Sequence, residues 1–186
     1  MNFAELAITL NEGAAAQDHH EVFGLINYLE DKPFKTIVEI GMYRGGMCAV
    51  FRKTFPFSKI VAVDMSLVKY PYREEFDTLV KKYDFDYVLG DSQKEETLKV
   101  VLEKLGSDKI DFLYIDGGHD YDNVKRDWDL WSPYAEYIGF HDIFGFQCDV
   151  PIFWAELIKE QNDYAIWKAP AGMGIGLICK QNGNNT

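Results

Sequence analysis

Basic residues are scarce in this chain of 186 residues: 19 Lys and Arg stand against 30 Asp and Glu, a formal net charge of -11. Recognition of nucleic acid through its phosphates needs clustered cations that displace counterions, so the balance argues against a nucleic-acid partner. It argues against an anionic membrane surface on the same ground. Long apolar runs are missing as well. None approaches the roughly 20 residues that span a bilayer. The opening MNFAELAITLNEG has neither a basic start nor a long apolar core, so it is not expected to be a signal peptide. Cysteine is sparse. Cys48, Cys148 and Cys179 lie far apart with no CxxC pair, which removes the zinc knuckle and the dithiol redox motif. Free thiols in a reducing cytoplasm are the expectation. Repeats and low-complexity blocks are also lacking.

What is present is an alternation. Seven short runs rich in β-branched or aromatic residues read as strands: TIVEIG (36–41), KIVAVD (59–64), DYVLGD (86–91), KIDFLYID (109–116), EYIGFHD (136–142), DYAIWKA (163–169) and GIGLICK (174–180). Helical stripes fill the gaps between the first six, such as Tyr72, Phe76, Leu79 and Tyr83, or Leu98, Val101 and Leu105 before a C-terminal Gly106. Tyr121, Val124, Trp128 and Trp131 form another, and Val150, Phe153, Trp154 and Leu157 the last, behind Asp149 as N-cap. Two stripes precede the first strand, around Leu6 and Leu10 and around Val22, Ile26 and Leu29. This rhythm predicts a parallel sheet covered on both faces. Pro170 to Met173 is too short for a crossover helix, so the last two strands are predicted to pair as an antiparallel hairpin. One domain over residues 1–180 is expected, with 1–32 as a helical cap and 181–186, QNGNNT, as a disordered tail.

Ligands of open α/β sheets bind beyond the carboxyl ends of the strands. In this chain those ends carry Glu39, Asp64, Asp91, Asp116 and Asp142, so one rim collects acids from five strands. The first loop, EIGMYRGG, offers Gly41, Tyr43, Arg44 and Gly45 for close approach to a ligand and a following helix N-terminus. It is not the dinucleotide fingerprint: that pattern, begun at Gly41, needs glycine where Tyr43 stands, and Glu39 would repel a diphosphate. An ammonium group suits Glu39 better. Asp64, with Met65 behind it, is placed to accept from both hydroxyls of a ribose, and Asp91 with Ser92 to meet an adenine edge. An adenosine with a cationic, phosphate-free tail fits these positions, and S-adenosylmethionine is such a molecule.

VEIGMYRGG, VAVD and LGDS resemble the glycine motif, ribose acid and adenine segment of class I S-adenosylmethionine-dependent methyltransferases. YIDGGHDYDNVKRDWDLW followed by GFHDI is similar to a small-molecule subgroup, the cephalosporin-hydroxylase-like and macrocin-type O-methyltransferases. One departure is Ala135-Glu136-Tyr137, where that subgroup has a Gly-Gly turn before the fifth strand. The resemblance covers residues 36–180 and implies a Rossmann-like, doubly wound sheet of seven strands, mostly parallel with a C-terminal antiparallel hairpin. It implies methyl transfer to the hydroxyl of a small-molecule acceptor. It also implies a divalent metal, Mg²⁺ or else Mn²⁺ or Ca²⁺, at Asp116, His141 and Asp142. Hard carboxylates suit such ions, and a cation lowers the pKa of a hydroxyl bound to it. Asp116 is expected to touch the cofactor as well. His119 and His141 are candidates for accepting the hydroxyl proton or completing the metal shell, and Gly117 and Gly118 for letting the backbone turn close to the ligand. A homodimer is the default assembly. Two other readings stay open: a non-catalytic S-adenosylmethionine-binding protein, and a non-haem iron oxygenase using His119, His141 and Asp116 as a facial triad.

Overall fold

The computed structural model describes residues 1–13, 15–66 and 72–180; the expected disordered tail lies outside the described residues. Seven strands form one sheet: β1 (Thr36–Ile40), β2 (Lys59–Asp64), β3 (Asp86–Leu89), β4 (Ile110–Ile115), β5 (Ala135–His141), β6 (Tyr164–Trp167) and β7 (Ile175–Cys179). Their order is β3-β2-β1-β4-β5-β7-β6. β1 to β5 pair in parallel, and β7 runs antiparallel to both β5 and β6. The fold is therefore α/β and doubly wound, with the predicted hairpin at its end. The hairpin's second strand, rather than its first, pairs with β5.

Seven α-helices cover the sheet. α1 (Phe3–Glu12), α2 (His19–Leu29), α3 (Gly46–Thr54) and α4 (Arg73–Tyr83) share one apolar cluster with Ile37, Ile60, Phe112, Tyr114 and Leu177 of the sheet. α5 (Glu95–Leu105), α6 (Tyr121–Trp131) and α7 (Val150–Glu160) share the other with Val38, Val61, Leu113, Ile138 and Phe140. Alternate residues of β1 and β4 enter opposite clusters, as the two-residue period of a strand requires. Leu6 and Leu10 of α1 and Leu25 and Ile26 of α2 have no exposed surface. At about 2 kcal/mol for each such side chain, these two helices form an integral layer of the core.

Local chemistry sets the helix ends. Asn2 and Glu5 form a reciprocal capping box at α1. Gly106 takes the left-handed conformation after α5, its N–H reaching the carbonyls of Leu102 and Glu103. The feature that positions the site is the split between β1 and β4. The chain leaves β1 toward β2 and β3, then returns to β4 on β1's other side, so a crevice opens where the connections diverge. There Asp116 N–H donates to the Ile40 carbonyl at 2.8 Å, and Gly41 N–H donates to the Val63 carbonyl at 2.8 Å.

Candidate active site

A cavity of about 890 Å³ opens in that crevice, and five carboxylates line it: Glu39, Asp64, Asp91, Asp116 and Asp142. Each stands within two residues of the end of a different strand of the parallel set. The residues expected there from sequence are placed as follows. Gly41, Tyr43, Met65, Ser92, His119 and His141 line the cavity with the acids. Arg44 and Gly45 do not. The Arg44 guanidinium stacks over the Tyr72 ring at 4.0 Å and pairs with Glu75. A Cβ on Gly45 would come within 2.9 Å of the Phe85 ring, so that glycine serves packing between α3 and its neighbours.

The first loop keeps a glycine-loop backbone although a tyrosine occupies its middle. Tyr43 has φ 46°, in the left-handed region. Such a residue costs on the order of 1–3 kcal/mol when it is not glycine. The surrounding bonds hold it there: Tyr43 N–H donates to Asp64 Oδ2 at 3.2 Å, and Ser66 N–H donates to Asp64 Oδ1 at 3.1 Å. Asp64 is thus fixed by backbone donors on both sides. Asp91 is held similarly, accepting from Gln93 N–H at 3.0 Å. Gly41 has φ 86°, and a Cβ there would sit 2.0 Å from the Asp116 carbonyl oxygen. Its lack of a side chain is what lets the ends of β1 and β4 meet.

Glu39 is a different kind of acid. It is 2% exposed and accepts a bond from the Cys48 thiol at 2.7 Å. Burial pushes its carboxyl up to about 8, and the charges of Asp116 and Asp64 add to the shift. It therefore holds a proton at neutral pH, which a cationic ligand can displace.

At the other end of the cavity, charges interlock. Nδ1 of His141 lies 3.2 Å from Asp116 Oδ1 and 3.2 Å from Asp142 Oδ1. Nε2 of His119 lies 3.7 Å from Asp116 Oδ1 and 3.4 Å from Asp142 Oδ2. Burial acts to raise Asp116, but the neighbouring imidazoles outweigh it and hold this carboxyl below its ordinary range. For Asp142, burial prevails and the shift is upward. The bond to Asp116 raises His119. Burial works against the charged form of His141, yet the two acids raise it as well. Asp142 itself has φ 62°, a second strained position facing the same cavity.

One ligand atom each from Asp116, His119 and Asp142 falls within 4.8 Å of the other two. Two carboxylates and an imidazole at that spacing fit a divalent cation. Of the two histidines expected near the acids, His119 converges with them through Nε2, whereas His141 sits behind them and bridges them through Nδ1. The converging donors number one histidine and two acids rather than the two histidines and one acid of an iron facial triad.

The paired glycines after β4 are explained by packing. A Cβ on Gly117 would meet Ile40 Cγ2 at 3.0 Å, and one on Gly118 would meet Asn123 Cβ at 2.6 Å. Phe144 and Phe146, just past Asp142, are exposed outside the cavity lining. Residues with no local signal also reach the wall: Ala15, Ala16 and Gln17 between α1 and α2, and Met173 in the β6–β7 turn. That turn is clamped by the buried Glu21 of α2, which accepts from Ala169 N–H at 2.7 Å and from Gly174 N–H at 3.0 Å.

A seven-stranded sheet in this order, with acids from successive strand ends around one crevice, defines a class I S-adenosylmethionine-dependent methyltransferase. The chain belongs to the methyltransferase domain family, which residues 38–143 match, more than half of its length. Solved structures share the fold at low identity. An O-methyltransferase from Bacillus cereus in complex with S-adenosylhomocysteine is 15% identical with TM-score 0.64, over 95% of this chain and 91% of that one. TomG from Streptomyces achromogenes, an O-methyltransferase involved in tomaymycin synthesis and bound to S-adenosylmethionine, is 12% identical with TM-score 0.65, over 96% and 89%. The S-adenosylhomocysteine-bound methyltransferase PaMTH1 of Podospora anserina is 19% identical with TM-score 0.61, over 95% and 88%. No curated protein sequence matches the chain. Among the described residues no helix is long and apolar enough to cross a membrane.

Proposed function

We propose that the chain transfers the methyl group of S-adenosylmethionine to a hydroxyl of a small-molecule acceptor, at a site that takes a divalent cation. The observation that carries this reading is the convergence of Asp116, His119 and Asp142 at one end of a cavity whose other end is lined by Glu39, Asp64 and Asp91. The O-methyltransferases that share this fold support the same chemistry.

In this reading Asp64 accepts from the ribose hydroxyls, Asp91 and Ser92 meet the adenine, and Glu39 faces the ammonium end. Gly41 and the backbone of Tyr43 shape the loop under the cofactor. Asp116, His119 Nε2 and Asp142 hold the cation, Mg²⁺ or Mn²⁺, and His141 Nδ1 fixes the facing of both carboxylates. The cation supplies positive charge that makes an adjacent hydroxyl more acidic. The chain's own part is to hold acceptor oxygen and sulfonium methyl in line, where orientation removes most of the entropic barrier. The hydroxyl proton passes to solvent at the mouth of the cavity, and S-adenosylhomocysteine is the second product. The same reading takes residues 1–180 as one catalytic unit. It also takes a homodimer as the working assembly and the cytoplasm as the location, in keeping with three free cysteines.

Calorimetric titration with S-adenosylhomocysteine, with and without Mg²⁺, tests the cofactor site. Transfer of labelled methyl to a panel of sugar hydroxyls and catechol-like phenols tests the reaction. Binding and metal-stimulated transfer are expected. A protein that binds the cofactor and transfers to no hydroxyl would instead be a binding protein, and one that ignores the cofactor sinks the reading altogether.

A further inference from the structure

Gln17 stands nearly a hundred residues from the acids in sequence, yet its side chain ends against them. Its Nε2 donates to Asp116 Oδ2. The opposite orientation of the amide would set Oε1 against a carboxylate oxygen, so the bond assigns the two ends of the side chain. Oε1 is then left buried, and among the described residues it has no hydrogen-bond partner. An unpaired buried carbonyl is costly, and a ligand in the adjoining cavity would remove that cost.

The segment that carries Gln17 is fixed at both sides. Ala15 N–H donates to the Leu10 carbonyl at 3.0 Å. Gly13 lies so close to the start of α3 that a Cβ on it would be 2.3 Å from Gly46 Cα, and a Cβ on Gly46 would be 2.7 Å from Ala15 Cβ. On the far side Asp18 caps α2 by accepting from His20 N–H at 2.8 Å. The amide is therefore held beside Asp116 by a docked backbone. Tyr114 Oη and His141 Nε2, also buried, are unpartnered among the described residues as well.

We propose that Gln17 is a ligand-binding residue of the methyl-transfer site, its Oε1 receiving the positive charge that docks beside Asp116. This rests on the function proposed above. A neutral amide oxygen serves equally as a ligand of a hard divalent cation or as acceptor from an ammonium group, so the shared chemistry is a cation. Two probes separate the sources: Mn²⁺ alone for the metal, and S-adenosylhomocysteine alone for the cofactor's ammonium end.

The test is calorimetric titration of wild type, Gln17→Leu and Gln17→Glu with each probe, on proteins whose thermal melting confirms folding. Gln17→Leu removes donor and acceptor together, whereas Gln17→Glu keeps an oxygen acceptor and adds charge. The expected pattern is that one probe binds Gln17→Leu on the order of tenfold more weakly and binds Gln17→Glu at least as tightly as wild type. The probe that responds identifies the source. Wild-type affinity of Gln17→Leu for both probes would overturn the proposal. So would equal weakening by both substitutions, since that pattern belongs to a residue that merely orients Asp116. If the wild type binds neither probe, the proposed function falls, and the inference with it.

Discussion

The two ends of the cavity are built by different means. At the β1–β3 end, Asp64 and Asp91 are fixed by amide donors from within two residues or from the neighbouring loop. At the β4–β5 end, Asp116 and Asp142 are held by side chains, His119 and His141, and Asp116 also by Gln17 from the connection between α1 and α2. Backbone donors hold an acid in place while leaving oxygens free to accept from a ligand, the ribose of the function proposed above. Interlocked acids and imidazoles neutralise one another, and a cation bound as proposed above would have to exchange with that internal pairing. The first end is pre-arranged for a constant ligand. The second is an exchangeable electrostatic cluster, suited to chemistry.

Four substitutions test the contrast, in descending order of effect. Gly41→Ala should damage both ends, because its Cβ would strike the Asp116 carbonyl oxygen and its φ of 86° disfavours any side chain. A cost of about 3 kcal/mol corresponds to a fall in melting temperature of about 10 °C, read by circular dichroism. Asp142→Ala should act on one end alone, lowering Mn²⁺ affinity by at least about a hundredfold and leaving S-adenosylhomocysteine affinity near wild type. If both ligands weaken alike, the ends are not independent. Asp64→Ala is the reciprocal case. Loss of a charged acceptor should weaken S-adenosylhomocysteine by about tenfold to a hundredfold, with Mn²⁺ binding unchanged in the same calorimeter.

Glu39→Gln should give the smallest effect at low pH, and one that grows as pH rises. The folded protein keeps a proton on Glu39 up to about pH 8, whereas the unfolded chain releases it in the ordinary glutamate range. The folded state thus binds more protons between those limits. Its stability contribution is complete below the lower limit and is lost as pH rises toward the upper one. Wild type and Glu39→Gln should melt alike near pH 4, and the variant should melt higher at pH 9. A constant difference across that range would show that Glu39 is not neutral in the free protein.

The sequence reading reached much of this and stopped at identifiable places. All seven strands were legible, because a buried parallel strand needs a short β-branched run and punctuation at its end. The acids at the rim were legible for the same reason: four end such a run, and Glu39 lies just inside the end of its own. Arg44 and Gly45 had the right local pattern and the wrong direction. One turn of loop sends Arg44 to Tyr72 and Glu75, and no residue within the motif records that. Which of His119 and His141 converges with the acids through Nε2 and which lies behind them was likewise hidden, since spacing in the chain does not record it. Gln17, Met173 and Glu21 had no signal at all. Their neighbours at the site are remote in the chain, and nothing in their own surroundings marks them.

The sequence by itself determined which segments are strands and helices, that they wind into a covered parallel sheet, and that acids gather where ligands bind. These follow from periodicity and from residue types at strand ends, which are local properties. Only the tertiary structure decided that β7 lies between β5 and β6, that α1 and α2 complete a core layer, and which side chains converge around Asp116. Those outcomes depend on contacts between segments far apart in the chain, where burial and charge pairing act on distances that spacing does not encode.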